Sequence, residues 1–388
     1  MKVLVGLSGG VDSAIAAYEL QKQGLDVTCC FMRNWDSFAN NDIEGNPTIF
    51  DDTCPQEQDY QDALKVAEKL GLKLLRVDFI KEYWDSVFQT FLKEYGRGRT
   101  PNPDILCNKY IKFDAFFEYA MNNGFDMVAT GHYASTKVEN GFTYLTRAAD
   151  QNKDQTYFLC QIPHSALEKT IFPLGNLTKP EVRQIADKLN LESVATKKDS
   201  TGICFIGERN FRQFLHNYLP AKSGNIVDID TGNVVGQHQG VLYYTIGQRK
   251  GLNINSVKGP WFVVGKDVNK NILFVCHTSH RDLLYSDGCI VKDINWLVKD
   301  LSEIPTKLTA KFRYRQPDQD IEFTSFNDTE AHVIYPQKIA SVTCGQEAVF
   351  YDHDKCIGGG VIEQVFIHGE DLNEKIMKQY EELRNGIN

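Results

Sequence analysis

Two cysteines in this 388-residue chain stand among residues that could activate a thiol. The first, Cys107, follows a stretch at residues 98–104 in which two prolines and a glycine predict a loop. We expect a helix to begin directly after Cys107, so that its positive end, with Arg99 and Lys109 nearby, favours the thiolate. Asp104, three residues earlier, could move protons in the same pocket. The alternative is a buried cysteine beside a solvated aspartate.

The second cysteine, Cys204, lies in a segment of short polar residues at 199–207. Gly202 favours a loop there, and Lys197 and Lys198 place positive charge nearby. A packed cysteine is the alternative at this position. The chain contains ten cysteines, but none has the paired Cys-x-x-Cys spacing of a structural zinc site. Without a secretory signal, we expect them to be mostly reduced.

A glycine-rich stretch near the start of the chain could hold phosphate. It comes directly after an apolar run and directly before a helical pattern, and its glycines let the backbone curl around an anion. The G-K-[ST] ending of a Walker loop is missing, so another class of phosphate loop is expected. The alternative is a purely structural strand-to-helix turn. The candidate phosphate-binding residues are Gly6, Leu7, Ser8, Gly9, Gly10, Val11, Asp12 and Ser13.

Strands and helices alternate through the first part of the chain, which predicts an α/β fold with a parallel, doubly wound sheet. Thr178, Pro180 and Glu181 predict a capped helix start. The predicted strands are Lys2–Leu7, Val27–Phe31, Leu74–Val77 and Phe125–Ala129. One predicted helix ends at Gly24, and two others cover Asp59–Leu70 and residues 108–123.

Beyond about residue 206 the pattern changes to short β-type runs separated by glycine-centred turns. Strands are expected at Val241–Thr245, at Trp261–Val264 and repeatedly between Leu308 and Glu363, which is typical of a barrel or sandwich. We therefore predict a catalytic domain over residues 1–205, a small central domain over 206–290 and a C-terminal β-barrel over 291–388.

The formal net charge of −9 does not exclude a nucleic-acid partner, because the charge is unevenly distributed. Residues 36–62 contain eight acidic residues and no lysine or arginine, so this segment accounts for nearly all of the excess. Between residues 307 and 316, every second residue would share one face of a strand. That face would offer a phosphate backbone four cations, unless it is an ordinary solvated face: Lys307, Lys311, Arg313 and Arg315.

No apolar run of about 18 residues or more occurs, so we predict no membrane span. The start, MKVLVGLSGG, lacks the basic and apolar regions of a signal peptide and the arginine-rich composition of a transit peptide. The expected location is the cytoplasm.

Seven sequence strings resemble those of MnmA-type tRNA 2-thiouridylases, and they follow one another in the order expected for that family. SGGVDS is similar to the PP-loop of ATP pyrophosphatases, which cleave ATP to AMP and pyrophosphate. The resemblance covers residues 6–316. The strings are SGGVDS, GRTPNPDILCNKYIKF, ATGHY, NKDQTYFL, DSTGICFIGERNFRQFL, YTIGQRKGL and RYRQ.

This resemblance implies an enzyme that uses ATP to adenylate the carbon 2 oxygen of the wobble uridine in tRNAs of the Lys, Glu and Gln type. Sulfur would come from a persulfide on Cys204, loaded by a sulfur-carrier protein or a cysteine desulfurase. Cys107 would be the partner thiol, leaving a Cys107–Cys204 disulfide to be reduced, and Asp104 would be the acid/base residue. Magnesium is expected with the ATP, but its ligands stay unknown.

The resemblance also implies contacts with both substrates. Met32 and Gly131 would complete the ATP pocket beside residues 6–13. Asn102, Pro103 and Asp104 would meet the target base. The other expected tRNA contacts are His132, Lys153, Asp154, Gln155, Tyr314, Arg315 and Gln346.

The chain departs from the family pattern at Cys344, where the family often has the proline of Pro-Gly-Gln. The role of this extra thiol is open, and Cys160 is expected to be a packed cysteine. Two rival classes are a PP-loop ligase or amidotransferase that activates a small metabolite, and a non-catalytic nucleotide- or RNA-binding module. The first gives no reason for paired loop cysteines, and the second gives none for the intact Cys107, Cys204 and Asp104.

Overall fold

Within the residues that the structure describes, three β-sheets contain five, four and nine strands. The structure, a computed structural model, describes residues 1–51, 55–195, 197, 204, 206, 209–254 and 260–386. A parallel sheet comes first, a small sheet follows, and an antiparallel barrel forms the C-terminal region. The fold expected from the sequence is therefore confirmed.

The first sheet is parallel, with the order β3-β2-β1-β4-β7. Its central strands lie between layers of helices, which explains why β1 and β2 are nearly continuous apolar runs. The strands of the N-terminal region are β1 (Lys2–Gly6), β2 (Asp26–Arg33), β3 (Lys73–Asp78), β4 (Met127–Ala129), β5 (Ser135–Glu139), β6 (Phe142–Thr146) and β7 (Thr170–Ile171).

The helices of this region include two π-helical segments, Tyr83–Phe88 and Asn108–Ala115. The predicted capping box is present, since Glu181 accepts hydrogen bonds from the Thr178 backbone and hydroxyl. The α-helices are α1 (Val11–Lys22), α2 (Pro55–Leu70), α3 (Ile80–Glu82), α4 (Gln89–Gly96), α5 (Pro103–Cys107), α6 (Phe116–Asn122), α7 (Thr156–Leu159), α8 (His164–Leu167), α9 (Lys179–Lys188), α10 (Glu192–Ala195) and α11 (Phe211–His216).

The small central sheet has the order β10-β11-β8-β9. Its strands are β8 (Gly224–Asp228), β9 (Val234–His238), β10 (Trp261–Asp267) and β11 (Ile272–His277), so the strand expected at Trp261 is confirmed. The strand expected at Val241–Thr245 is wrong, because Val241–Tyr243 forms a 3-10 turn after Gly240, whose φ is 134°. Both Val241 and Tyr243 are buried, and a short apolar run does not by itself distinguish a strand from such a turn.

The C-terminal barrel closes because its first strand pairs with its last long one, in the order β12-β15-β14-β13-β16-β17. The β5–β6 hairpin of the N-terminal region extends this sheet through Thr146 and Lys355. 3-10 turns at Asp282–Leu284 and Leu301–Glu303 precede β12 and β13. The elements here are β12 (Tyr285–Trp296), β13 (Lys307–Lys311), β14 (Gln319–Phe326), β15 (Glu330–Ala340), β16 (Glu347–Asp352), β17 (Lys355–Ile367), β18 (Glu370–Asp371) and α12 (Leu372–Asn385).

The three regions share hydrophobic cores. One buried cluster joins Cys107 and Phe116 of the first region to Val263 and Val275 of the central sheet. Another joins α7 and Phe113 to the barrel strands β16 and β17. The region that carries Cys107 is thus packed against both of the others. Among the described residues, no helix has the length and apolar character needed to cross a membrane.

Candidate active site

The glycine-rich stretch forms the turn between β1 and α1. Gly9 has a φ of 73°, and a Cβ at this position would lie 2.3 Å from the carbonyl oxygen of Asp59. The hydroxyls of Ser8 and Ser13 lie 3.1 Å apart, and Ser13 donates to the Gly10 carbonyl. Because Gly10 provides no side-chain cap, the first amides of α1 point into the turn without a side-chain acceptor. The turn therefore suits an anion such as a phosphate.

Met32 and Gly131 both lie against this turn. The Met32 methyl group would be 3.1 Å from a Cβ on Gly6, and a Cβ on Gly131 would be 2.7 Å from the Ser13 nitrogen. The carboxyl ends of β1, β2 and β4 thus meet here, as ligand sites in parallel sheets require. The structure brings together all ten residues predicted to bind the nucleotide.

Two lysines make contacts that stabilise this turn. Sequence reasoning did not place either of them there. Lys179, at the start of α9, binds both carboxylate oxygens of Asp12 at 2.7 and 2.8 Å. Lys197 donates to the Gly9 carbonyl at 3.2 Å and also pairs with Asp59 and Asp62. The acidic segment therefore helps to fix residues 6–13, which we call the phosphate turn, and the Asp12 carboxylate is paired with Lys179.

Cys107 and Cys204 lie side by side, with their sulfur atoms 3.7 Å apart. This separation is a contact and not a bond, since a disulfide needs about 2.05 Å. Asp104 accepts a hydrogen bond from the Cys204 backbone nitrogen at 3.1 Å. The Tyr83 hydroxyl donates to the Cys204 carbonyl at 2.8 Å. Residues 97 positions apart are therefore held as one cysteine centre, which we define as Cys107, Cys204, Asp104 and Lys112.

The pKa values of the two thiols are shifted in opposite directions. A hydrogen bond from the Cys107 thiol lowers the pKa of Cys204, and the charge of Lys112 lowers it further against the effect of burial. Burial raises the pKa of Cys107 well above its ordinary value. Burial also raises the pKa of Asp104, although Lys112 and the Cys204 amide oppose this effect. The geometry thus favours a Cys204 thiolate that accepts a hydrogen bond from a neutral Cys107.

The expectation that Cys107 ionises readily is wrong. The helix begins at Pro103, where Asn102 caps it by accepting from the Asp104 and Ile105 amides, so Cys107 is the last residue of α5. Asn108 continues the helix as a π-helical segment. A thiol in mid-helix gains no help from a helix N-terminus, and Asn102 and Pro103 have the capping and first-turn roles instead.

The expected cations are also occupied elsewhere. Arg99 forms ion pairs with Glu94 at 2.8 Å and Glu363 at 2.6 Å, and Lys109 donates to Gln161. Lys112 is the cation of the cysteine centre, and it hydrogen-bonds Cys204. Burial by itself lowers the pKa of Lys112, but the nearby cysteines and Asp104 raise it overall.

Lys112 follows Cys107 by five positions in the sequence. On an ordinary α-helix, residues five apart are turned well away from each other, since one residue advances about 100°. The π-helical segment Asn108–Ala115 has wider turns and i to i+5 bonding, which brings Lys112 to the side of Cys107. No periodicity in the sequence announces such a segment. Gly202 and Lys198, which the sequence also placed near Cys204, lie outside the residues that the structure describes.

His132 connects the cysteine centre to the phosphate turn, because it directly follows Gly131. Its Nε2 atom lies 3.5 Å from the Lys112 ammonium, and its Nδ1 atom lies 2.8 Å from the Thr130 hydroxyl. Burial and the charge of Lys112 keep the pKa of His132 well below its ordinary value. A neutral ring that accepts from Lys112 must carry its proton on Nδ1, so Thr130 is its acceptor.

Both other regions hold the loop that precedes the cysteine centre. From the central sheet, Lys266 donates to the Gly98 carbonyl at 2.9 Å. From the barrel, the Cys344 carbonyl accepts from the Thr100 amide, and the Gln346 side chain donates to the Thr100 carbonyl at 2.6 Å. The start of α5 is therefore fixed by contacts with residues that are distant in sequence.

The acidic segment also holds the chain beyond Cys204. Asp42 is fully buried, and it pairs with Arg209 at 2.8 Å and accepts from the Trp35 indole. The Asn210 amide donates to the Gly45 carbonyl. Removing one partner of such a buried ion pair commonly costs about 3–5 kcal/mol. Asp42 therefore has a structural role, and it fixes the chain that follows Cys204.

The three residues expected to contact tRNA at 153–155 follow a tight turn. The buried Asp154 carboxylate accepts from the Ala148 amide and the Thr156 hydroxyl, and burial raises its pKa. Gln155 accepts from the Tyr133 amide at 2.9 Å. Lys153 is half-buried. These residues lie beside Tyr133, which directly follows His132, and the Asp154 and Gln155 side chains already have partners within the protein.

The prediction of one basic strand face between residues 307 and 316 is wrong. β13 ends at Lys311, and Arg313 turns inward to donate to the Ile246 carbonyl at 2.8 Å and to Thr343. Arg315 is exposed in a turn with a φ of 65°. Because Arg313 and Arg315 lie past the end of the strand, alternation no longer places them beside Lys307 and Lys311.

Tyr314 packs between the barrel and the first region. Its ring centroid lies 4.3 Å from that of Phe158 in α7, and the Arg315 guanidinium lies 5.5 Å from the Tyr314 ring. The stacked Arg315 is therefore presented at the junction of the two regions, beside the helix that directly follows residues 153–155. Cys160 is fully buried, and the half-buried Cys344 contacts the site through its backbone.

A turn that fits phosphate at the carboxyl ends of a parallel sheet, beside paired cysteines with a cation, defines an α/β protein that can bind a phosphate and present a thiol. Comparison with known families agrees. The tRNA methyl transferase HUP domain matches residues 1–208, the tRNA methyl transferase PRC-barrel domain matches 212–277, and the aminomethyltransferase beta-barrel domain matches 286–362.

Curated relatives match over nearly the whole chain. The tRNA-specific 2-thiouridylase MnmA of Mycoplasma mycoides subsp. mycoides SC is 56% identical over 374 residues, covering 94% of this chain and 99% of the relative. The MnmA protein of Acholeplasma laidlawii is 53% identical over 372 residues, covering 95% and 98%. The chain belongs to the MnmA family of tRNA-specific 2-thiouridylases.

Proposed function

We propose that this protein is an ATP-dependent sulfurtransferase that converts the wobble uridine of tRNAs of the Lys, Glu and Gln type to 2-thiouridine. The observation that carries the proposal is the 3.7 Å contact between Cys107 and Cys204 beside Asp104. Neither a small-metabolite ligase nor a binding module needs two thiols in this arrangement. Membership of the family and the phosphate turn support the same activity.

Residues 6–13, with Met32 and Gly131, are proposed to bind ATP, whose cleavage supplies a leaving group better than hydroxide. The uncapped amides of α1 and the Ser8 and Ser13 hydroxyls would bind phosphate oxygens. The described residues contain no group of three His, Cys, Asp or Glu side chains arranged to hold a metal ion. Magnesium would accompany the ATP phosphates, as it usually does beside nucleotides.

Sulfur transfer would use the two cysteines in turn. The terminal sulfur of a Cys204 persulfide attacks carbon 2 of the adenylated uridine, and the carbon–oxygen bond breaks with its electron pair leaving on AMP. The Cys107 thiolate then attacks the Cys204 sulfur, which forms a disulfide and leaves the electron pair on the sulfur bound to the base. A thiol reductant must reopen the disulfide before the next cycle.

The other groups of the centre suit this sequence. Cys204 is the more acidic thiol, as the residue that accepts and presents sulfur should be. Asp104, whose pKa is raised by burial, can take the Cys107 proton as that thiol becomes the nucleophile. Lys112 can balance the negative charge as it moves from one sulfur to the other.

The macromolecular contacts are part of the proposal. Asn102, Pro103 and Asp104 would meet the target base, which must leave the anticodon-loop stack to reach them. A sulfur-carrier protein or a cysteine desulfurase would load Cys204. The barrel would be the tRNA-binding domain, and the path of the tRNA would be lined by His132, Lys153, Asp154, Gln155, Tyr314, Arg315 and Gln346.

The test is 2-thiouridine formation on unmodified glutamate tRNA with ATP, magnesium and a sulfur donor. Wild type should thiolate, Cys204→Ser and Cys107→Ser should not, and both variants should still release pyrophosphate. Cys344→Ser is the matched control, since this half-buried thiol contacts the site through its backbone and should be dispensable. Pyrophosphate release with a small acceptor but never with tRNA would overturn the proposal in favour of a ligase.

A further inference from the structure

A loop of the central domain, residues 245–251, lies between the barrel and the loop that precedes α5. On one side, its Thr245 hydroxyl is 3.5 Å from the Thr100 hydroxyl, two residues before Asn102. On the other side, its Ile246 carbonyl accepts from Arg313 at 2.8 Å. We call residues 245–251 the bridging loop. It touches both of the surfaces to which tRNA contacts are assigned above.

The bridging loop is fixed tightly against the barrel at Gly247. This residue has a φ of 82°, and a Cβ there would lie 2.3 Å from the Ser341 hydroxyl. Its amide donates to the Val263 carbonyl at 2.8 Å. Since any side chain at Gly247 would collide with the barrel, the loop has a defined place between the two domains.

Hydrogen bonds within the bridging loop hold its exposed end in shape. The Gln248 side chain accepts from the Thr245 amide at 3.1 Å and donates to the Lys250 carbonyl at 3.0 Å. Arg212 donates to the Gly251 carbonyl at 3.0 Å. The exposed end of the loop is therefore ordered in the free protein. Binding a ligand then loses less conformational entropy than binding to a disordered loop would.

Two cations project from this ordered end. Arg249 and Lys250 are both exposed, and within the part of the chain that the structure describes neither forms an ion pair. By contrast, Arg99 and Arg313 nearby are both engaged inside the protein. Arg249 and Lys250 are thus cations of this junction that remain available to a ligand.

We propose that Arg249 and Lys250 bind phosphates of the RNA backbone next to the target nucleotide. The inference rests on the proposed tRNA substrate. An RNA strand that runs from Asn102 to Arg315 must pass the bridging loop, which contacts Thr100 at one end and Arg313 at the other. Exposed cations on a preformed loop suit phosphate oxygens, which fix the register of an RNA without reading its sequence.

The test compares Arg249→Gln/Lys250→Gln with wild type by fluorescence anisotropy on unmodified glutamate tRNA at several salt concentrations. At about 0.15 M salt we expect binding to weaken about ten-fold, and the slope of log Kd against log salt to flatten by about 1.4, since each of the two lost contacts to a single strand contributes about 0.7. Arg249→Lys/Lys250→Arg should keep both values. Both side chains are exposed, so the thermal midpoint should stay unchanged.

The matched control is Lys22→Gln/Lys73→Gln, which removes the same charge at the amino edge of the parallel sheet, opposite the phosphate turn. It should leave the affinity and the salt slope near those of wild type. If Arg249→Gln/Lys250→Gln also leaves the affinity and the salt slope near those of wild type, the inference is overturned. A raised KM for ATP with unchanged tRNA affinity would assign the loop to the nucleotide and also overturn it.

The outcome for wild type separates this inference from the proposed function. If wild type binds tRNA and the loop variant binds equally well, only the bridging loop is wrongly assigned. If wild type does not bind tRNA at all, the proposed function itself fails.

Discussion

The phosphate turn and the cysteine centre are built in different ways. The turn uses eight consecutive residues, 6–13, and its shape follows from glycines between a buried strand and a helix. The cysteine centre joins residues 97 positions apart, and its key cation is reached through a π-helical segment. Its supporting loop is held by the central sheet at Lys266 and by the barrel at Gln346.

The difference teaches that the two halves of the proposed reaction depend on different parts of the molecule. Nucleotide binding should survive damage to the contacts between domains, because the turn is supported within the first sheet. Sulfur transfer should be lost when those contacts are damaged, because the cysteine centre depends on packing against the central sheet and the barrel. The following variants test this separation.

The largest effect is expected from Gly9→Ala. A Cβ there would meet the Asp59 carbonyl at 2.3 Å in a backbone conformation that side chains rarely adopt, so the turn must shift. Pyrophosphate release should fall on the order of 100-fold, as small misplacements at reacting groups do. The pH profile of Cys204 alkylation should stay that of wild type.

Gly24→Ala is the control for backbone strain, because Gly24 has a φ of 78° but a Cβ at this position would meet nothing within 4 Å. It should keep pyrophosphate release within a few-fold of wild type. Equal losses in both variants would show that the clash with Asp59 is not the cause.

Lys266→Met tests the hold of the central sheet on the cysteine loop. Burial lowers the pKa of Lys266 to about 7, against 10.5 in the unfolded chain. Between these values the unfolded chain binds one more proton, so this lysine makes stability rise with pH, by up to about 1.4 kcal/mol per unit. Between about pH 7 and about pH 8.5, wild type should gain about 1–2 kcal/mol of unfolding free energy relative to the variant.

Urea titrations of both proteins at these two pH values measure that gain. Parallel pH profiles for wild type and Lys266→Met would mean that the lysine keeps its proton in the fold.

Lys112→Met should disturb the cysteine centre and leave the phosphate turn intact. Without the ammonium, the Cys204 thiolate loses a hydrogen-bonding cation, so the pKa of Cys204 should rise. Iodoacetamide labelling of Cys204 against pH, read by mass spectrometry, checks this shift. Lys112→Arg should restore part of it, and pyrophosphate release should change little.

A labelling profile that is the same in wild type and Lys112→Met would remove Lys112 from the cysteine centre as a charge partner. A loss of pyrophosphate release as large as that of Gly9→Ala would break the separation between the two regions.

The smallest effect is expected from Glu363→Gln, which weakens the hold of the barrel on Arg99. The pair is partly exposed, and Arg99 keeps Glu94, so its loss should cost less than about 1 kcal/mol. Thiolation should fall no more than about five-fold, with the ATP dependence unchanged. A larger loss would show that the centre depends on the barrel more than the contacts indicate.

The sequence predicted the parallel sheet, the strand-to-helix turn at residues 6–13 and the barrel well, because each follows from a local pattern of apolar residues and glycines. Phosphate binding at that turn stays a prediction. The sequence singled out both cysteines, but the expectation that Cys107 ionises readily is wrong. That error arose because the helix begins at Pro103, capped by Asn102, and because Arg99 and Lys109 turn to Glu363 and Gln161. The basic strand face failed for a similar reason, since β13 ends at Lys311.

What the sequence determined by itself about this protein is the glycine-rich turn between β1 and α1, the parallel sheet and the β-rich character of the C-terminal region. These depend on neighbouring residues, whose backbone preferences are readable along the chain. Only the tertiary structure decided which thiol is acidic, which lysine serves it, and that Arg249 and Lys250 stand exposed between two domains. Acidity and available charge depend on partners distant in sequence, and burial and folding choose those partners.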